Sequence, residues 1–141
     1  MNPTEFPEID GGYSLEHHVE GESRRLAAPL RALDFEAETR ELRSGDAWRE
    51  LGQESKTLIK LPNLLVVLVA LKAGRRIDRH RTDGEVTLQI LSGHARVQAD
   101  GHAVDLPAGR LVAIERSIPH DLVAEDDSTV LLTVAWRRSG Q

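Results

Sequence analysis

The sequence predicts an all-β sandwich or barrel preceded by a short helical segment, and three observations carry that expectation. From Thr57 onward, short segments of alternating or β-branched residues recur at near-regular spacing, as in folds built from many short strands. Turn sequences separate them, namely Asp83-Gly84, Asp100-Gly101, Pro107-Ala108-Gly109 and Asp126-Asp127-Ser128. The 141 residues suffice for a single core, and no internal repeat suggests a duplicated barrel.

Residues 1–33 mix Pro3, Pro7, Gly11, Gly12, Gly21 and Pro29 with acidic residues and keep no period, so they read as a flexible N-terminal arm. His17 and His18 are adjacent there and would point opposite ways on a strand, which makes them a solvated pair rather than joint ligands. Residues 34–52 read as a helical segment packing on the barrel. Asp34 suits the N-cap of a helix running to about Arg43, Glu36 and Glu38 suit its first turn, and Phe35 and Leu42 share a face. Ser44-Gly45-Asp46 interrupts, and a further helical turn carries Trp48 and Leu51 until Gly52 stops it. The expected role of this segment is to cap the open end of the barrel.

Residues 55–138 make the barrel domain. Thr57 to Leu61 alternates, whereas Leu64 to Leu71, LLVVLVAL, is apolar throughout, as a strand covered on both faces must be. Another subunit or the N-terminal arm is the expected second cover, and from this strand we expect a homodimer. Further strands are expected at Ile77 to Arg81, Glu85 to Leu91, Ala95 to Ala99, Ala103 to Leu106, Leu111 to Ile114, Asp121 to Ala124 and Thr129 to Trp136.

Charge and composition narrow the function classes. Eighteen basic residues against 23 acidic ones give a net charge of -5, and the arginines fall in scattered pairs, so no phosphate-binding stripe and no nucleic-acid partner are expected. The absence of cysteine removes disulfides, thiolate nucleophiles and cysteine-based metal sites. The longest apolar run has eight residues, far short of a bilayer span, and the acidic N-terminus is unlike a signal peptide. The expectation is a cytoplasmic protein without a membrane partner.

Two stretches carry the candidate site. In the first, GRRIDRHRTDGEVTLQILSG, Gly74 is followed by five residues and His80, with Thr82 two residues on and Val86 separated by six residues from the closing Gly93. In the second, GRLVAIERSIPHDLVA, Gly109 is followed by five residues, Glu115, Ser117, His120 and Ala124. Over roughly Leu64 to Trp136 this pattern resembles the two sequence motifs of the cupin family. The resemblance implies a single small cupin, that is, an RmlC-like jelly-roll β-barrel. It also implies that the positions of His80, Thr82, Val86 and His120 are those where the family presents three imidazoles and a carboxylate to one divalent metal. Here two of the four are kept, with Thr82 in place of the second His and Val86 in place of the Glu. Glu85 is one step off. It alternates with Val86 and so faces away in a regular strand, unless a bulge at Asp83-Gly84 re-aims it, and Gln89 meets the same objection of parity.

The face holding His80 and Thr82 is expected to continue through Val86, Leu88 and Ile90, a mostly apolar interior with a few polar groups, as in small-molecule sites and ordinary cores alike. Asp78 is expected on the same strand face as His80, either orienting that ring or as a solvated charge. His94 and His102 read as exposed turn residues, and Ser92 and Ser117 have no readable catalytic context. Two functions compete. One is a small-molecule-binding barrel with His80 and His120 as polar anchors beside Thr82, Val86 and Leu88, which needs no cofactor. The other is a metal-dependent enzyme, an oxygenase, isomerase or lyase, in which His80, His120 and, more weakly, Glu85 hold Fe, Mn, Ni or Zn.

Overall fold

The computed structural model describes residues 29–137. The expected arm up to Ala28, with His17 and His18, lies outside the described residues. Two helices, α1 (Phe35–Arg43) and α2 (Asp46–Leu51), lead into nine strands. These are β1 (Gln53–Leu61), β2 (Leu64–Leu71), β3 (Arg76–His80), β4 (Glu85–Ser92), β5 (His94–Ala99), β6 (His102–Pro107), β7 (Leu111–Ile114), β8 (His120–Ala124) and β9 (Ser128–Ala135). They form a five-stranded sheet ordered β1-β2-β9-β4-β7 and a four-stranded sheet ordered β3-β8-β5-β6, every pairing antiparallel. This is the jelly-roll sandwich the strand spacing predicts. No helix among the described residues is long and apolar enough to cross a membrane.

The helices form where capping chemistry allows. The Asp34 carboxylate accepts hydrogen bonds from the backbone N–H groups of Glu36 and Ala37, satisfying donors that helix geometry leaves over. Gly52 takes the left-handed conformation, φ 73°, that ends α2 and turns the chain directly into β1.

The side chains divide into two cores. Between the sheets, Leu65, Val67, Val69 and Leu71 of β2 meet Val130, Leu132 and Val134 of β9, with Ile77, Val97, Leu106 and Leu122 opposite. On the outer face of the five-stranded sheet, Val66, Leu68 and Ala70 of β2 are buried with Leu58 beneath Leu42 and Trp48. The second cover over β2 is therefore supplied by the helical segment of the same chain. This corrects two expectations. The helices lie on the broad outer face of β1 and β2 rather than capping the barrel end, and the two-sided apolarity of β2 ceases to be a reason for a dimer.

Polar contacts fix the cover in place. Lys56 Nζ on β1 donates to Glu38 at 2.7 Å and Glu41 at 2.8 Å on α1, and these carboxylates, Glu38 foremost, hold its pKa above the ordinary value. The Arg43 guanidinium lies over the Trp48 ring, 4.9 Å from its centroid, and donates to Thr129 Oγ1 at 3.2 Å.

The two sheets are tied together at one end. Ser128, fully buried at the start of β9, donates to the carbonyls of Asp126 and His94 and accepts from the His94 N–H. The approach is close enough that a Cβ on neighbouring Gly93, φ 89°, would lie 2.3 Å from the Asp127 carbonyl oxygen, so the position requires glycine.

If α1 and α2 supply a true second core, Leu68→Ala should cost about 2–5 kcal/mol, the range for a large-to-small change in a packed interior. Urea unfolding measures it, and a loss below about 1 kcal/mol, as at a surface site, would show that the helices cover β2 only loosely.

Candidate functional site

The local folding of β3 decides where His80 points. Ile77 pairs with Leu122 and His80 pairs with His120, so three residues of β3 span what two residues of β8 span. Plain alternation from the buried Ile77 would send His80 outward, and this bulge returns it to the inner face. The bulge in this motif thus lies in β3, where it aims His80, and Glu85 keeps the exposed side that alternation assigns it. Gly84 sits tightly against β9, where a Cβ would lie 2.7 Å from Val134 Cγ1 and 2.8 Å from the Ala135 carbonyl oxygen.

His80 and His120 stand directly opposite each other, ring centroids 4.5 Å apart and planes at 61°, an edge-to-face pair. His120 is buried and His80 half-buried. Each ring is held the same way: His80 Nδ1 lies 2.8 Å from the Asp78 carbonyl oxygen, and His120 Nδ1 lies 2.9 Å from that of Ile118. A carbonyl only accepts, so Nδ1 carries the proton in both rings, and in the neutral form each ring keeps an Nε2 lone pair as an acceptor. The Asp78 main chain orients His80, while the Asp78 carboxylate sits 3.8 Å from Arg76 Nε.

The remaining predicted site residues separate into two groups. Thr82 is buried, with its hydroxyl donated to the Gly84 carbonyl at 2.9 Å and its own carbonyl accepting from the Ser117 N–H at 2.8 Å. Val86 and Leu88 are inside the packed core, Val86 opposite Ile114 and Leu88 opposite Val112. Glu85 is exposed and Gln89 half-buried, both alternating with the buried Val86, Leu88 and Ile90, so neither stands with the histidines. Ser117 occupies a turn with φ 67°. His94 is half-buried at the head of β5, with Nε2 3.8 Å from Asp105 Oδ1.

One residue was read differently from sequence. His102 is exposed at the β5–β6 turn as expected, yet it pairs with Ala99, and Ala99 pairs with His120. Directly opposed residues share a sheet face, so His80, His120, Ala99 and His102 form one row across the four-stranded sheet. The signal was present in the parity of His102, Val104 and Leu106, but strand pairing was needed to align it with His120.

Comparison with known proteins agrees with this architecture. Residues 67–136, about half of the chain, match the cupin domain family model. A conserved protein of unknown function from Streptococcus pyogenes superposes with a TM-score of 0.62 at 23% identity over 83% of this chain and 96% of its own. KdgF from a Halomonas species gives a TM-score of 0.58 at 25% identity, covering 64% of this chain and 84% of that one. Salicylate 1,2-dioxygenase from Pseudaminobacter salicylatoxidans gives 0.69 at 18% identity over 82% of this chain, which spans only 38% of that larger enzyme. No curated protein sequence matches. The jelly roll, the two motif stretches and the family match together make this chain a member of the cupin superfamily.

Transition metals are common in that family, and the residues here can be tested against one. Two imidazoles with free Nε2 lone pairs suit two coordination positions. The other two family positions are Thr82, whose hydroxyl is already donated to Gly84, and the apolar Val86. Among the described residues no group of three or more His, Asp or Glu is placed to hold a metal ion. The four-ligand set does not fit.

Electrostatics favours a neutral His120. Burial pushes the His120 imidazole below its ordinary pKa. The bond to Ile118 opposes this, the nearby His80 ring reinforces it, and Asp121 opposes it. The native state therefore binds the His120 proton more weakly than the unfolded chain, whose His titrates near 6.5. The resulting stability is complete above about pH 6.5 and is lost as pH falls through the depressed native value, by at most about 1.4 kcal/mol per pH unit. Urea unfolding in chelator at pH 7.5 and pH 5 should show the wild type losing more stability than His120→Gln. Equal losses would mean that His120 takes up its proton freely in the folded state.

Proposed function

We propose that this cupin barrel binds a small, partly apolar molecule and that His80 and His120 are its hydrogen-bond acceptors. The observation that carries the reading is the shared tautomer. Both rings donate Nδ1–H to the main chain, so both keep Nε2 as an acceptor on the inner face of the barrel. A neutral His pair is suited to a hydroxyl or amine donor, and the apolar residues around it supply burial for the rest of the ligand. Thr82, Val86 and Leu88 hold the pair's surroundings in shape rather than offering free polar groups. Binding without turnover is the activity proposed, as a capture or sensing function, and it needs no metal.

The rival reading is a metal-dependent oxygenase, isomerase or lyase, and it gains from the dioxygenase likeness only at the level of the fold. The two are separated by screening neutral hydroxylated fragments by ligand-observed NMR, with elemental analysis of protein purified without nickel. Binding that survives chelator and falls about tenfold in both His80→Ala and His120→Ala, the size of one lost hydrogen bond, is the expected result. Near-stoichiometric metal that disappears in both variants would overturn it in favour of the enzyme.

A further inference from the structure

We infer that His102 is the far anchor of the same barrel site and that the ligand is an elongated neutral molecule with a hydroxyl at each end. The inference rests on the small-molecule reading above and extends it to the shape and chemistry of the ligand.

Three observations lead to it. The first is the row of His80, His120, Ala99 and His102, directly paired from β3 through β8 and β5 to β6. Two strand spacings separate His120 from His102, which is about 10 Å between their Cα atoms. The second is that His102 repeats the arrangement of the other two rings. Its Nδ1 lies 2.9 Å from the carbonyl oxygen of Asp100, two residues back, as His80 does with Asp78 and His120 with Ile118. In the neutral form each of the three rings therefore keeps Nε2 as the acceptor.

The third is a groove beside the row, which His102 enters and which His80 and His120 reach only through their neighbours. A cavity of about 250 Å³ is lined by His102 and by Ala99 and Ile118, the two residues that flank His120 through strand pairing and through its ring hydrogen bond. Ala99 is the smallest side chain in the row and leaves its centre open. Val97, Val112 and Ile114 add apolar lining, and Asp100 and Glu115 line it as well.

This arrangement selects a chemistry. Acceptors at both ends call for hydroxyl or similar donors at both ends, and the apolar middle calls for a hydrocarbon or aromatic centre. The acidic residues Asp100 and Glu115 in the lining disfavour a terminal carboxylate, so a diol is favoured over a diacid.

The test titrates the full chain with octanediol bearing a hydroxyl at each end and, separately, with octanol, following side-chain His nitrogens by NMR. Octanediol should bind about tenfold more tightly than octanol, as one extra hydrogen bond provides. In His102→Ala the diol should fall to the octanol level while octanol itself is unchanged. His102 is exposed at a turn, so this variant should keep its fold, and Ala99→Leu, which fills the middle of the row, should weaken the diol selectively. A diol preference that His102→Ala leaves intact overturns the far anchor. If octanol then still depends on His80 and His120, the smaller site stands alone, and no His response to either alcohol overturns both readings.

Discussion

Strand β2 has no polar side chain from Leu64 to Leu71, and that one constraint organises the molecule. A strand with nothing to show water must sit inside a sheet and be covered on both faces. Its odd-numbered residues build the core between the sheets and its even-numbered residues build the core beneath α1 and α2. The helical segment is therefore part of the fold's hydrophobic economy. The opposite sheet is left to form the wall on which the histidines are arranged.

That wall uses main-chain hydrogen bonds to make chemistry out of common residues. A bulge in β3 turns His80 inward, and carbonyls two residues upstream fix the tautomers of His80, His120 and His102. The same barrel elsewhere in the family presents a metal with four ligands. Here the second His position is a Thr closed onto Gly84 and the carboxylate position is a core Val, so the interior keeps acceptors and loses the charge that a metal site needs.

Much of the fold was legible because its signals are local. Asp34 announced α1, Gly52 ended α2, and the Asp-Gly turns and β-branched runs placed the later strands within a residue or so. The apolarity of β2 called for two covers but could not say which element supplies the second, since that depends on how Leu42 and Trp48 pack 20 or so residues away. The site was legible as residue types and spacing. His80 and His120 were found as a pair, but the bulge that makes them face each other leaves no mark in alternation, which read straight through Asp78 and His80. His102 was missed as a member of the row because membership is a matter of register across four strands, and register is a long-range property.

The Ser128 knot has a mechanical consequence. It joins the head of β9 to the head of β5 at the Gly93 turn, the end of the four-stranded sheet where His94 pairs with Pro107. The histidine row lies at the opposite end of β5, about 17 Å away along the strand. The two sheets are thus tied at the end of β5 remote from the histidine row, while near the row the Ser117 N–H donates to the Thr82 carbonyl, so main-chain and hydroxyl bonds brace the sandwich at both ends.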